Sequence, residues 1–148
     1  MKFHKSLDKP IGQILIEGGI ITQEQLQKAL DAQKKDGGLL GEVIVKLGFA
    51  REEEIAHCLS LQYSFPYLPL ENYEISQEVI KLIPKNVCTH YCLIPLDRIE
   101  NTLTVAMANP LNEQAIEDLE DISALEIQIF ISTPTDIRQA LERHYEKQ

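Results

Sequence analysis

The chain has 148 residues, of which 44% are apolar and 25% charged, enough for one domain or two small subdomains with a packed core. Its net charge of −9 excludes a general affinity for nucleic acid or anionic lipid, because the field of the protein repels phosphate. No apolar run approaches the roughly 20 residues that span a bilayer, and the N-terminal MKFHKSLDK lacks the apolar segment of a signal peptide. The three cysteines, an odd number, agree with a reducing compartment, so a cytoplasmic protein without direct membrane insertion is expected.

One sequence pattern occurs twice, with an offset of 29 residues. The first copy reads IGQILIEGGIITQEQLQKALDAQ from Ile11, and the second reads LGEVIVKLGFAREEEIAHCLSLQ from Leu40. A repeat of this kind is usually one supersecondary unit that buries a face against its neighbour. Two packed copies offer a surface with pseudo-two-fold symmetry, which points to binding and not to catalysis.

Each copy predicts a short helix followed by a longer one. In the first copy Asp8 caps the short helix, Pro10 lies in its first turn, and Gly18-Gly19 ends it. Thr22 and Gln25 have the spacing of a capping box, so the longer helix begins here.

The longer helix of the first copy has four residues on one face and then a stop signal at Gly37-Gly38. The four, at spacing i, i+3, i+4 and i+7, are Leu26, Ala29, Leu30 and Gln33. The second copy predicts helices over about 40–47 and 51–62, with Arg51 in the position of Thr22 and therefore without a side-chain cap.

The remainder predicts a mixed unit. It begins with an extended connector to Tyr73, which is followed by a helix capped by Ser76 and a helix started by Pro84. A hairpin over 93–107 comes next, and then a helix that begins at Asn109-Pro110. A strand over 126–132 and a last helix capped at 133–136 complete it. The predicted class is α+β. The predicted organisation is a helical tandem-repeat subdomain of four short helices (1–62), a linker with short helices (63–92) and a small β-β-α-β-α subdomain (93–148).

Motifs for catalysis are absent from the sequence. It contains no G-x-x-x-x-G-K-[ST], G-x-S-x-G or H-E-x-x-H, so no catalytic residue is predicted and the chain is not expected to be an enzyme. Cys88 and Cys92 share a helix face while His90 points elsewhere, and a closed zinc site needs four ligands, so these cysteines are interpreted as core residues and no metal is predicted. The acidic cluster of Asp118, Glu120 and Asp121 is interpreted as a solvated helix face.

The repeated glycines and glutamines leave two accounts open. On the structural account Gly12, Gly19, Gly41 and Gly48 end helices or allow close packing, and Gln33 and Gln62 merely lie at helix C-termini. On the functional account Gly12 and Gly41 let a phosphate approach backbone amides, and the two glutamines offer donor and acceptor groups to a base edge. Apolar contact would then come from Leu15, Ile16, Ile44 and Val45.

The repeat resembles the MshEN-type domain, the N-terminal domain of type II secretion and type IV pilus assembly ATPases. That family's pattern is R-L-G, two residues, two aliphatics, two residues, Gly, two aliphatics, four residues, Leu, three residues, Leu, two residues, Gln, occurring twice. This chain matches it from Ile11-Gly12 to Gln33 and from Leu40-Gly41 to Gln62. The stretch LIPLDRIENTLTVAMANPLNEQAIEDL and the final IRQALERHY also resemble the family's C-terminal subdomain.

The resemblance implies a domain that precedes a hexameric ATPase and that, in some members, binds cyclic di-GMP with one half-site in each repeat. Carried over by motif, the contacts fall on Gly12, Leu15, Gly19, Gln33, Gly41, Ile44, Gly48 and Gln62. The motif's leading Arg is replaced by Pro10 and Leu39, which neither stack on guanine nor bond phosphate, although Lys9 supplies some nearby charge.

The expected function is therefore that of a non-catalytic regulatory and docking domain that couples a secretion or pilus motor to the cytoplasmic part of an inner-membrane platform protein. The alternative is a cyclic di-GMP receptor, weakened by the lost Arg; apart from that ligand no cofactor is expected. The expected partners are the platform protein and a C-terminal ATPase domain, with no nucleic acid polymer. The expected location is the cytoplasm, peripheral to the inner membrane through those partners. The sequence leaves open whether it is a fragment, the oligomeric state, and which secretion or pilus system it serves.

Overall fold

The computed structural model describes residues 11–145, which form two compact units, 11–64 and 65–145. The predicted cap at Asp8 and the first-turn Pro10 lie outside the described residues. The described part of the first unit contains four helices: α1 (Ile11–Glu17), α2 (Gln23–Asp36), α3 (Leu40–Lys46) and α4 (Glu52–Tyr63). Helices α2, α3 and α4 begin and end within about two residues of the sequence prediction, and α1 ends at Glu17, just before the predicted stop at Gly18-Gly19.

Both short helices of the first unit end in the same way. Gly19 and Gly48 have φ values of +76° and +80°, which a residue with a Cβ rarely adopts. Around the first, Ile20 donates its N–H to Leu15 at 2.9 Å; around the second, Phe49 donates to Ile44 at 3.1 Å. These six-to-one bonds define a Schellman motif, so the repeat carries the same C-terminal stop twice.

The two long helices start differently. Thr22 and Gln25 form the predicted capping box, with the hydroxyl accepting from the Gln25 N–H at 3.1 Å and the amide oxygen accepting from the Thr22 N–H at 2.9 Å. In α4 only the reciprocal half is present, because the Arg51 side chain cannot accept; Glu54 Oε1 accepts from the Arg51 N–H at 2.8 Å.

The short helix of each copy of the repeat packs against the long helix of the other copy. Helix α1 packs against α4, and α3 packs against α2. Leu15, Ile44 and Leu59 are completely buried in this core. The predicted apolar face of α2 is narrower than expected: Leu26 and Ala29 are buried, whereas Leu30 is 38% exposed.

The second unit, from residue 65, contains four helices and three strands in its described part. They are α5 (Gln77–Ile80), α6 (Lys85–Tyr91), β1 (Leu93–Ile99), β2 (Thr102–Met107), α7 (Glu113–Ser123), β3 (Glu126–Ile131) and α8 (Pro134–Tyr145). The prediction of an α+β fold with a β-β-α-β-α order is confirmed. The predicted linker segment 63–92 supplies α5 and α6, and its separation from 93–148 stays a prediction.

The start of α7 differs from the sequence prediction. Asn109 does not cap the helix; its side chain accepts from the Leu111 N–H at 3.0 Å and closes a turn. Asn112 is the N-cap and accepts from the Ala115 N–H at 3.1 Å, so the helix begins at Glu113. Two Asn residues, each with a side chain suited to a turn or a cap, stand three positions apart, and periodicity alone does not separate them.

A three-stranded sheet of order β1-β2-β3 forms the core of the second unit. β2 is central; it pairs antiparallel with β1 through a tight hairpin and parallel with β3 through the α7 crossover. Leu103, Val105 and Met107 alternate in β2 with Thr102, Thr104 and Ala106, which predicts one buried face; the first three are completely buried, and so is Ala106 at the end of the strand. Pro95 lies on the edge strand β1, where a missing N–H costs least.

Candidate functional site

The paired motif glycines are not equivalent. A Cβ on Gly12 would come within 2.5 Å of Leu26 Cδ1, so any side chain here forces Leu26 to shift where α1 approaches α2. A Cβ on Gly41 would meet no atom within 4 Å, and its φ is not positive. Packing and backbone conformation therefore explain Gly12 but do not explain Gly41.

Four of the other predicted site residues have structural roles. Leu15 and Ile44 are 0% exposed, so their side chains belong to the core of the first unit. Gly19 and Gly48 make the helix ends described above, and a Cβ on either would meet open space. The surfaces beside these two turns are thus open, although the glycines are already explained by their backbone conformation.

The two motif glutamines also differ. Gln33 Nε2 donates to the carbonyl oxygen of Gly38 at 3.0 Å, which ties the end of α2 to the loop before α3. Gln62 is exposed and lines a groove beside α4. The structural account of Gln33 is supported by this bond, whereas Gln62 keeps its side chain at a surface.

The positions of the missing motif Arg are only partly described. Leu39 is the N-cap residue of α3, half-buried and in extended conformation, with no side-chain cap. Pro10 and Lys9 lie outside the described residues. An Arg at position 39 would stand at the N-terminus of the helix that carries Gly41.

A groove beside α4 is a concave surface that contains the predicted site residue Gln62. Its volume is about 460 Å³, and it lies between α4 and the turn that follows α1. Its apolar wall includes Ile20, Cys58 and Leu61. A Cβ on Gly18 would come within 2.5 Å of Cys58 Sγ, so the turn and the helix are in close contact at the floor. Burial raises the pKa of the Cys58 thiol, which makes it a poor nucleophile.

A second hollow, of about 520 Å³, adjoins the first. It lies at the turn between α3 and α4 and is lined by Val45, Gly48 and Phe49. Arg51, Glu53 and Glu54 line both hollows. Of the eight predicted site residues, this region includes Gln62 and Gly48 and does not include the rest.

The cysteines of the second unit are buried, as the sequence analysis expected of core residues. Cys88 is 0% exposed and its Sγ lies 3.3 Å from the Tyr145 hydroxyl, which also contacts the carbonyl oxygen of Ile83 at 2.6 Å. Burial raises the pKa of the Cys88 thiol to about 11, and burial also raises the pKa of Tyr145. Within residues 11–145, no three His, Cys, Asp or Glu side chains come together in a way that could hold a metal ion.

One polar contact was missed by the sequence analysis. Asp118, interpreted as part of a solvated face, accepts a short hydrogen bond from the Tyr91 hydroxyl and a second, at 2.9 Å, from Gln114 Nε2. The Tyr91 bond, followed by the Gln114 bond, lowers the pKa of the Asp118 carboxyl. The spacing of Gln114 and Asp118, i and i+4 on α7, was the one local signal; the contact with Tyr91 on α6 is non-local.

Comparison with known proteins identifies the class. The MshEN domain model matches residues 63–148, which correspond closely to the second structural unit. The chain therefore belongs to the MshEN domain family, which confirms the family named from the sequence, although the repeat over 11–62 lies outside the residues that the model matches.

Three relatives extend the match over most of the chain. The type IV pilus assembly ATPase PilB of Myxococcus xanthus is 33% identical over 135 residues, which are 91% of this chain and 24% of the relative. A solved structure of MshE with cdg is 28% identical, with a TM-score of 0.73 over 93% of this chain and 99% of that one. The N-terminal domain of XpsE, 16% identical with a TM-score of 0.77 over 93% of this chain and 94% of that one, shows the shared fold alone. The chain thus spans about a quarter of the length of the pilus ATPase that it matches.

No helix within residues 11–145 is both long enough and apolar enough to cross a membrane.

Proposed function

We propose that this chain is a non-catalytic regulatory and docking domain of a type IV pilus or type II secretion assembly ATPase. It joins the motor to the cytoplasmic part of an inner-membrane platform protein and is located at that membrane through this partner. The observation that carries the proposal is the alignment of 91% of this chain with 24% of a pilus assembly ATPase. Because the chain corresponds to only about a quarter of that ATPase, it is one module of the motor protein, and the residues that hydrolyse nucleotide belong to another module.

The arrangement of the first unit supports a docking role. Its helices are short, and two of them, α1 and α3, have seven residues each. Such helices are stable only through packing, and here each copy of the repeat stabilises the other. Grooves beside the packed helices offer a concave surface of the kind that protein partners recognise.

The proposal is tested with the ¹⁵N-labelled chain and the cytoplasmic domain of the platform protein encoded with it. We expect concentration-dependent shifts of a contiguous set of amides. The absence of any shift at several hundred micromolar partner would overturn the docking role. Sequencing the gene downstream of Gln148 gives an independent check, since the proposal expects a Walker A motif there.

A second candidate function is the binding of cyclic di-GMP. It is favoured by the open space over Gly41 and the exposed Gln62, together with the likeness to MshE, whose structure was solved with cdg. Leu39 opposes it, because an aliphatic side chain supplies neither the stacking nor the forked hydrogen bonds of Arg.

Calorimetry on the full chain separates these functions. If the two repeats are half-sites, Leu39→Arg with Pro10→Arg raises the affinity for cyclic di-GMP. Gly41→Ala then lowers that affinity while the fold remains stable, because the added methyl group faces only the space that the ligand needs. A flat titration at high micromolar ligand, with the double Arg variant also flat, would end the dinucleotide hypothesis and leave the docking role standing.

A further inference from the structure

The groove beside α4 presents an apolar wall to solvent. Leu61 is 84% exposed, the highest exposure among the large hydrophobic side chains of residues 11–145. A single exposed Leu is ordinary on a protein surface. This one lines a concave surface together with two further apolar side chains, Ile20 and Cys58. The groove therefore has the shape and lining to receive an apolar side chain.

The groove continues into the second hollow through a charged strip. Arg51, Glu53 and Glu54 belong to both, and Val45 and Phe49 form an apolar wall beyond them. Along α4 the surface thus alternates between an apolar pocket, a charged strip and another apolar pocket. Leu61 lies nine residues after Glu52, about 14 Å along α4, so a helix that presents apolar side chains two to three turns apart can reach both pockets at once.

The charged strip is acidic. Glu52, Glu53 and Glu54 occupy the first turn of α4, against the single cation Arg51. Arg51 Nε lies 3.7 Å from Glu54 Oε1, and its backbone N–H also bonds that carboxylate, so this pair is largely satisfied within the turn. The three carboxylates stabilise the helix through its dipole, but that role does not require an apolar pocket on each side of them.

We propose that the α4 groove, formed by the two hollows and the strip between them, binds a basic amphipathic helix of a partner protein. Apolar side chains of that helix fill the pockets at Leu61 and Phe49, and its Lys or Arg side chains meet Glu53. The inference rests on the proposed docking function and assigns it a surface and a partner chemistry. Apolar anchors supply most of the affinity in such a complex, and the charges set the sign of the partner and the rate of encounter.

The inference is tested on the full ¹⁵N-labelled chain with a synthetic 18-residue helix that has leucines on one face and lysines on the other. We expect amide shifts confined to residues 18–20, 45–54 and 57–62, and no binding of the matched peptide with Glu in place of Lys. Glu53→Lys with Leu61→Ser should weaken binding at least about tenfold, because it removes one apolar anchor and inverts one charge.

Asp121→Lys with Ile122→Ser is the matched control in the second unit. It makes the same change of charge and also removes one exposed apolar side chain, since Ile122 is 44% exposed. We expect it to weaken binding less than about twofold, provided that circular dichroism shows all variants folded. Equal weakening by both double variants, or shifts spread over the second unit, would overturn the α4 groove as the site and indicate attraction to the net charge of the whole chain.

The same variants distinguish the groove from the docking function. If the platform domain binds the chain but Glu53→Lys with Leu61→Ser leaves that affinity unchanged, the groove assignment fails and the docking role stands. If the basic helix binds at the groove and the platform domain does not bind at all, the docking role fails and the groove remains.

Discussion

Arg143 on α8 donates from Nη2 to the backbone carbonyl oxygen of Leu70 at 2.8 Å, across 73 residues of sequence. Asp136, on the same helix, accepts from the Leu70 N–H at 3.2 Å, so both backbone groups of Leu70 are held by side chains of α8. The Leu70 side chain is completely buried between these bonds. The last helix therefore fixes the extended connector that begins the second unit.

The Leu70 contact predicts that Asp136 is a stabilising residue. Asp136→Ala removes a charged acceptor and leaves a part-buried N–H unpaired, which should lower the free energy of unfolding by about 1–3 kcal/mol. Glu142→Ala, an exposed position on the same helix, is the control and should change it by less than about 0.5 kcal/mol. Urea unfolding followed by circular dichroism measures both, and equal effects would contradict the assigned role of Asp136.

The motif glycines should respond oppositely to the same substitution. Gly12→Ala places a methyl group against the Leu26 side chain, so it should destabilise the protein by about 1–3 kcal/mol through overpacking. Gly41→Ala adds a methyl group in open space within α3 and should stabilise the protein by up to about 1 kcal/mol. Thermal or urea unfolding of the two variants checks this, and a loss of stability in Gly41→Ala would show that the site is not open. A Leu26→Ala background should remove most of the cost of Gly12→Ala.

Burial of Cys88 predicts a loss of stability at alkaline pH. Its pKa is about 11 in the folded protein against an ordinary value of 9.0, so the unfolded chain releases the thiol proton first as the pH rises. The contribution to stability is fully present below about pH 9 and is lost as the pH rises toward 11. Up to about 3 kcal/mol of the free energy of unfolding should disappear in this window.

Tyrosines also titrate in that window, so the difference between two proteins is the informative quantity. Cys88→Ala should unfold more easily at pH 8 and should show a shallower fall between pH 9 and 11 than the unmodified chain. Parallel pH profiles of the two proteins would mean that Cys88 does not titrate differently on unfolding.

The contact between Tyr91 and Asp118 predicts a pKa change that NMR can follow. Tyr91→Phe removes the largest cause of the lowered pKa of Asp118, so that pKa should rise toward its ordinary value. Gln114→Ala should produce a smaller rise, because its hydrogen bond is the second cause. A ¹³C titration of the Asp118 carboxyl measures both, and an unchanged pKa in Tyr91→Phe would show that the hydroxyl does not bond the carboxylate in solution.

Local patterns in the sequence were sufficient to identify the elements. The capping box at Thr22, the glycine stops at 19 and 48 and the alternation in β2 each act within a few residues, so the sequence contains the whole cause. The family was also identified from local patterns, because a repeat with fixed spacing can be recognised in the sequence without a structure. The start of α7 was placed wrongly because Asn109 and Asn112 are both suited to capping, and only the completed turn selects one.

The sequence by itself thus determined the repeat and the α+β class. Tertiary structure alone decided that Gly12 is packed while Gly41 is open, that Gln33 is tied to a loop while Gln62 lines a groove, and that Asp118 has Tyr91 as its partner. The physical reason is that identical motif positions lie in different surroundings once each helix packs against the other copy. Contacts between residues far apart in the chain decide which side chains are exposed to solvent. The spacing of residues along one helix does not specify those contacts.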